Sequence, residues 1–322
     1  MRFKASSLYI ILLFVGCEPR EQTHLSESEA HQHKFADRAD PKEAQAHYES
    51  GVTRFRNGDY NKAIEYFTEA IRLNPKFTEA YVYRGDAWNY KQKYDQAIAD
   101  YNKAIQLNPK LADTYYSRGV AWGCKGDNDK AIADFNEAIR LDPHLAEAYG
   151  DRGRGYYTKG DDDKAIADFN EAIRLNLKFY LIYYSRGLAW RDKGEYDKAI
   201  ADFDESIRLN PKHDLSYCAR GVMYDIAGKQ DKAIADFDKA IQLNPESDLS
   251  YCSRGATYYS LGEYDKAITD LTEAIRLNQI FAEAYFNRGL SYRKMGNITK
   301  AAEDFEQARN LGYKWEQGDM ED

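Results

Sequence analysis

Three short stretches of the chain carry residue types that do chemistry in other proteins. Gly150, Gly153 and Gly155 crowd glycines together as a phosphate-cradling loop does. Such a loop follows a strand and opens a helix, whereas these three fall within one helical segment. Asp161, Asp162 and Asp163 offer carboxylates to a calcium ion, but the alternating ligand ladder and the closing glutamate are missing. His31 and His33 flank Gln32 without a Cys or carboxylate in a folded frame to complete a metal shell. His47, His144 and His213 stand singly, with no nucleophile or orienting acid beside them in the sequence. The expectation is therefore no catalytic residue, no metal site and no cofactor: the chain reads as a protein that is not an enzyme.

Charge narrows the partner class. Of 322 residues, 53 are acidic and 45 basic, for a formal net charge of −8, and no Arg-rich tract appears. A nucleic acid partner requires concentrated Lys and Arg to displace counterions, so none is expected. Cys124, Cys218 and Cys252 are an odd set beyond Cys17, which leaves no complete disulfide framework. All three read as small apolar helix residues.

What must position any functional residue is a period. Gly51, Gly85, Gly119, Gly153, Gly187, Gly221, Gly255 and Gly289 recur every 34 residues, and so do Ala63, Ala97, Ala131, Ala165, Ala199, Ala233, Ala267 and Ala301. Units therefore start at 44, 78, 112, 146, 180, 214, 248 and 282, giving 44–77, 78–111, 112–145, 146–179, 180–213, 214–247, 248–281 and 282–315. In the third unit Tyr115, Gly119, Trp122, Ala131, Phe135, Ala138 and Pro143 occupy positions 4, 8, 11, 20, 24, 27 and 32. This pattern resembles the tetratricopeptide repeat over 44–315. The resemblance implies an all-α fold, a right-handed alpha-solenoid superhelix of tandem helix-turn-helix repeats.

Each element of the pattern has a physical reason. Small residues at 8, 20 and 27 let two helices approach, and the aromatics around them explain 27 Tyr against 7 Pro. Gly58, Gly126, Gly160, Gly194, Gly228, Gly262 and Gly296, at position 15, suit the turn between helices. Position 18 (Asn61, Asp95, Asp129, Asp163, Asp197, Asp231, Asp265 and Thr299) predicts the N-cap of the second helix. Asn-Pro pairs such as Asn74-Pro75 end it, and Leu177 and Gln279 replace the Pro in two repeats. Arg at 7 and Asp at 23 are both present in repeats two to eight and both absent from the first, which predicts a helix-to-helix ion pair that matters more for register than for stability; the competing reading is two independent surface charges. Ile at 21 and 28 in the first seven repeats becomes Ala302 and Arg309 in the eighth, a polar end face where no further repeat follows.

Outside the repeats, Arg2 and Lys4 precede an apolar run from Leu8 to Val15 that ends at Gly16-Cys17. A charged start, a short apolar run and a small boundary residue read as an export signal, too short to span a bilayer. Phe14-Val15-Gly16-Cys17 resembles a bacterial lipobox, departing from it at Phe14, and implies lipidation of Cys17. Glu18 at the next position implies, by the same resemblance, a lipid anchor in the outer membrane facing the periplasm. Residues 18–43 read as a polar, disordered linker and 316–322 as an acidic tail.

With no room for catalysis, function is expected from the curved surface. By resemblance to the family, positions 2, 5, 9, 12 and 13 of the first helices line a concave groove. Repeats two to four place Glu79, Asp86, Asp113, Glu147 and Arg154 there. Repeats five to seven place Leu181, Tyr184 and Leu188, then Leu215, Cys218 and Val222, then Leu249, Cys252 and Ala256. An apolar stripe with a polar rim predicts a partner site on Leu181, Tyr184, Leu188, Leu215, Cys218, Val222, Leu249 and Cys252; the competing reading is that these side chains pack on neighbouring helices. Family members that hold chaperone C-terminal tails carry Lys and Asn at positions 5 and 9, where the first repeat has Tyr48 and Val52, so no chaperone tail is expected. The resulting expectation is an envelope scaffold that binds a partner protein or peptide; the alternative is a receptor for a peptide or glycan fragment in the same groove.

Overall fold

The computed structural model describes residues 41–315. The expectations for the export signal, for Cys17, for His31 and His33, for the linker up to residue 40 and for the tail 316–322 lie outside the described residues. Among the described residues there are sixteen helices and no strand. The first helices of the repeats are α1 (Pro41–Arg56), α3 (Thr78–Tyr90), α5 (Ala112–Cys124), α7 (Ala146–Thr158), α9 (Tyr180–Asp192), α11 (Asp214–Ile226), α13 (Asp248–Ser260) and α15 (Ala282–Lys294). The second helices are α2 (Tyr60–Leu73), α4 (Tyr94–Leu107), α6 (Asn128–Leu141), α8 (Asp162–Arg174), α10 (Tyr196–Leu209), α12 (Gln230–Leu243), α14 (Tyr264–Leu277) and α16 (Ile298–Asn310). Helix α1 starts at Pro41, three residues inside the stretch read as linker; Pro is tolerated in a first turn because its missing N–H has no intrahelical partner there. No described helix is long and apolar enough to cross a membrane.

The turn inside each repeat forms where position 15 adopts a left-handed conformation, with φ from 70° to 84° at the seven glycines. Repeat two has no glycine there, and Gln92 takes the same conformation at φ 58°. The second helix then starts earlier than expected, at position 17, so the cap sits at 16 and not at 18. Asp59, Asp127, Asp161 and Asn297 accept from the backbone N–H of Lys62, Lys130, Lys164 and Lys300. The position-18 acids lie inside the first turn, where a negative charge favours the helix dipole. Two of them, Asp95 and Asp129, pair with Lys125 and Lys159 of the following repeat.

The second helices end mostly on Asn or Asp in extended backbone, as at Asn74 and Asn244. Asn278 does the same with Gln279 after it, so the stop does not need the Pro. Where Leu177 replaces Pro, α8 ends otherwise. Asn176 turns left-handed at φ 71°, and the N–H of Leu177 donates to the Ala172 carbonyl at 3.0 Å.

The core repeats as the helices do. A Cβ placed on Gly221 would lie 2.7 Å from the ring of Phe237, which is why position 8 must lack one. Ala233, Phe237 and Ala240 are buried beside it, as are their counterparts in the other repeats apart from the half-buried Phe305. The end of the array departs from the pattern. Ala302 and Arg309 are exposed, in line with the expected polar face, and the chain after α16 folds back over the last repeat. Tyr313 and Trp315 bring their rings to 4.9 and 5.2 Å from Phe286, and Arg309 lies over Trp315. These aromatics pack against the cluster of Phe286, Leu290 and Ala308.

The chain divides into two compact units, one running to Leu177 with repeats one to four and one from Lys178 with repeats five to eight. In each unit every first helix packs on its own second helix and on the neighbouring first helices, and each one after the unit's first also packs on the second helix of the preceding repeat. The first helices thus form a continuous layer within a unit.

Candidate partner-binding face

The first-helix layer is held in register by the predicted ion pairs, all seven of which form. Arg84, Arg118, Arg152, Arg186, Arg220, Arg254 and Arg288 each grip the position-23 Asp of their own repeat through Nε and Nη2, at 2.6–2.8 Å. The guanidinium also reaches backwards. Nη1 of Arg220 meets Asp204, and Nη1 of Arg254 meets Asp238, both on the preceding repeat and both at 2.5 Å. In repeats two, three, four and eight that role falls to Thr68, Asn102, Asn136 and Thr272. Burial raises the carboxyls of Asp100, Asp168 and Asp202 above their ordinary value even with a guanidinium bonded to them. The same bonds raise the guanidiniums of Arg118 and Arg152, so desolvation wins on the carboxylate side and attraction on the other, a near-balance in which the pair sets geometry more than it adds stability.

On this layer the structure separates the eight residues read as a partner site. Leu181, Tyr184, Leu188, Cys218 and Cys252 are at most 4% exposed. They do not offer the open apolar stripe expected of them. At position 5 the reason is visible, because the side chain turns towards the large apolar side chain at position 24. Tyr184 packs on Phe203 and on His213, Cys218 belongs with Ala233, Phe237 and Ala240, and Cys252 with Ala267, Leu271 and Ala274. Cys218 and Cys252 are free thiols, and burial pushes Cys218 up to about 11, so both are inert packing groups. Cys124, read as a third such residue, is not among the free thiols. Leu215, Val222 and Leu249 remain half-buried and present apolar surface.

Two further residues of α11 belong to this face and were passed over, although positions 12 and 13 point to them. Ile226 is 37% exposed. With Leu215 and Val222 it lies on one stripe, at spacings of seven and four residues. Asp225 beside it has Oδ1 out of solvent with no hydrogen-bond partner. Burial raises its carboxyl, and the Thr257 hydroxyl lowers it less.

The isolated histidines and the acid cluster resolve into structure. His213 is half-buried, its Nδ1 is 2.7 Å from the Ser216 hydroxyl, and burial holds it down at about 4. Asp161 is a cap paired with Lys164. Among the described residues no group of three or more His, Cys, Asp or Glu is placed to hold a metal ion.

Family models described as tetratricopeptide repeat match residues 44–77, 112–145, 146–179, 180–213 and 282–311. One described as TPR repeat matches 85–122, 226–262 and 255–296. No curated protein matches the chain. Among solved structures, the APC/C hetero-tetramer Cut9-Hcn1 is similar at 19% identity and a TM-score of 0.60, covering 82% of this chain but 52% of that one. The chain thus spans about half the length of that relative. A tetratricopeptide repeat protein from Parabacteroides merdae matches at 21% identity and a TM-score of 0.58, over 81% of this chain and 99% of that one. The structure titled as YrrB, a TPR protein with an unusual peptide-binding site, matches at 24% identity and a TM-score of 0.50, over 57% of this chain and 95% of that one. At these identities the likeness is one of fold. With sixteen helices in the expected order and family models matched along most of their length, this chain belongs to the tetratricopeptide repeat family, whose members generally act as protein–protein interaction scaffolds.

Proposed function

We propose that the protein is a non-enzymatic scaffold of the bacterial cell envelope that binds a partner protein or peptide along the first helices of repeats five to seven. The observation that carries this reading is the exposed part of α11 and α13. Leu215, Val222 and Ile226 follow one helix stripe, Leu249 stands half-buried beside them, and a packed layer of buried residues supports them from below. A rigid apolar strip is what a peptide side chain can dock on without first ordering the receptor. The solved structure described as having a peptide-binding site shares this fold. The envelope location follows from the export signal and the lipobox-like Phe14-Val15-Gly16-Cys17, with the anchor at Cys17.

Two experiments test the two halves. The full chain is cross-linked in membranes and its captured partners are compared with those of a Leu215→Glu, Ile226→Glu variant of equal helicity. Loss of a specific band is expected, and an unchanged set of partners defeats the groove assignment. Mass spectrometry of the membrane fraction is expected to find a diacylated peptide starting at Cys17. A peptide joining Cys17 to Cys124 by a disulfide would overturn the anchor, since one sulfur cannot carry both bonds.

A further inference from the structure

On the first-helix layer of repeats five to seven every cation is met by a carboxylate, but not every acid is met by a cation or an amide. Its cations Arg186, Arg220 and Arg254 hold Asp202, Asp236 and Asp270, and Arg191 pairs with Asp192 at 2.8 Å. Its acids are Asp192, Asp214, Asp225 and Asp248. Asp214 accepts from the Asn244 amide at 2.9 Å, and Asp248 from the Asn278 amide at 2.7 Å. Asp225 differs: among the described residues no cation or amide meets it, the Thr257 hydroxyl bonds its carboxylate, and its Oδ1 lies out of solvent without a hydrogen-bond partner. A half-buried carboxylate in this state is costly, and a cation set beside it from outside offsets part of that cost through its charge. Asp225 stands beside the half-exposed Val222 and the exposed Ile226, so the cation arrives on a chain that also offers apolar groups.

Building on the groove reading above, we infer that repeats five to seven select a peptide that sets a Lys or Arg side chain on Asp225 and flanking apolar side chains on Leu215, Val222 and Ile226. The apolar strip supplies contact area and the carboxylate supplies the choice among sequences. A half-buried charge left unpaired by the wrong peptide penalises it, and that penalty is how such a site discriminates. An acidic residue at the same place on the peptide is rejected twice, by repulsion and by desolvation.

The test uses full-length protein in detergent and three fluorescein-labelled, end-blocked nonapeptides that differ only at a central residue, Lys, Gln or Glu, between leucines. Fluorescence anisotropy is expected to give the Lys peptide at least tenfold tighter binding than the Gln peptide, with the Glu peptide weakest. Asp225→Asn is expected to bring the Lys-to-Gln ratio close to one while leaving the Gln peptide's affinity and the helical signal unchanged. Asp225→Lys is expected to invert the order in favour of Glu. Equal binding of Lys and Gln peptides by the unaltered protein, or a preference that survives Asp225→Asn, overturns the inference. If that equal binding is lost in the Leu215→Glu, Ile226→Glu variant, the groove reading stands and only the role of Asp225 fails. Absence of binding by all three peptides overturns the inference as well, and partner capture by the same variant then decides the groove separately.

Discussion

The Arg–Asp pairs make a claim about stability that one helix can test against itself. Helix α8 carries two Arg–carboxylate contacts of similar geometry. In one, Arg152 of α7 bonds Asp168 at 2.6 and 2.7 Å, with the side chains 17% and 9% exposed. In the other, Arg174 bonds Glu171 at 2.6 and 2.8 Å with 66% and 31% exposed. Distance does not distinguish them, so burial must. Asp168→Ala strands a guanidinium that is also stacked on Tyr149 at 5.4 Å and retains a single neutral partner, Asn136. The cost expected for breaking such a pair from one side is about 3–5 kcal/mol. Replacing both partners, as Arg152→Met with Asp168→Leu, removes the desolvation together with the attraction, and stability is expected to return to within about 1 kcal/mol of the unaltered protein. Glu171→Ala is expected to do little, and what it does should fade with added salt. Urea unfolding followed by circular dichroism gives the overall effect. Hydrogen exchange along α7 and α8 gives the local one, which matters because repeat arrays can open in parts. Should the double variant be as unstable as Asp168→Ala, the pair contributes net stability and the assignment of a register role is wrong.

Two further outcomes follow from single residues. Gln92 holds a left-handed conformation that its sister repeats give to glycine, so Gln92→Gly should stabilise the first unit. The relief of roughly 1–2 kcal/mol is partly offset by the added freedom of the unfolded chain, leaving about 0.5–1 kcal/mol, read as a higher urea midpoint. Asp86 is 6% exposed, accepts from Tyr101 at 2.8 Å, and is pushed by burial from 3.8 up to about 7. Its folded form therefore holds the proton more tightly than its unfolded form, so its contribution is full below about pH 4 and is lost as pH rises through about 7, an upper bound of about 4 kcal/mol. Asp86→Asn should flatten that slope, and parallel pH profiles for the two proteins would refute the assignment.

Much of the architecture was readable because the period repeats one environment. Equivalent residues must meet equivalent neighbours, so the glycine at position 8 implied a close second helix, and the joint presence of Arg at 7 and Asp at 23 implied their contact. The exposed Ala302 and the charged Arg309 stood out in the eighth repeat for the same reason, since the other seven carry Ile at both positions. Helix starts were less legible. An Asp at 18 and an Asp at 16 are equally good caps by residue type, and the choice fell to position 15, whose left-handed backbone turns the chain so that helix begins at 17.

Exposure was the property that the sequence could not determine. Leu181, Tyr184, Leu188, Cys218 and Cys252 occupy groove positions by number, yet they are buried. At position 5 the packing shows how: Tyr184 and Cys218 turn onto Phe203 and Phe237, and Cys252 onto Leu271. That outcome depends on side chains from other helices, which no single repeat encodes. Asp225 shows the same limit from the opposite side. Its residue type and position were plain, but being the acid met by neither cation nor amide on its layer required Asn244, Asn278 and Arg191 to be folded onto Asp214, Asp248 and Asp192 first. Sequence determined which residues recur; tertiary structure decided which of them face solvent and which charges remain to be met.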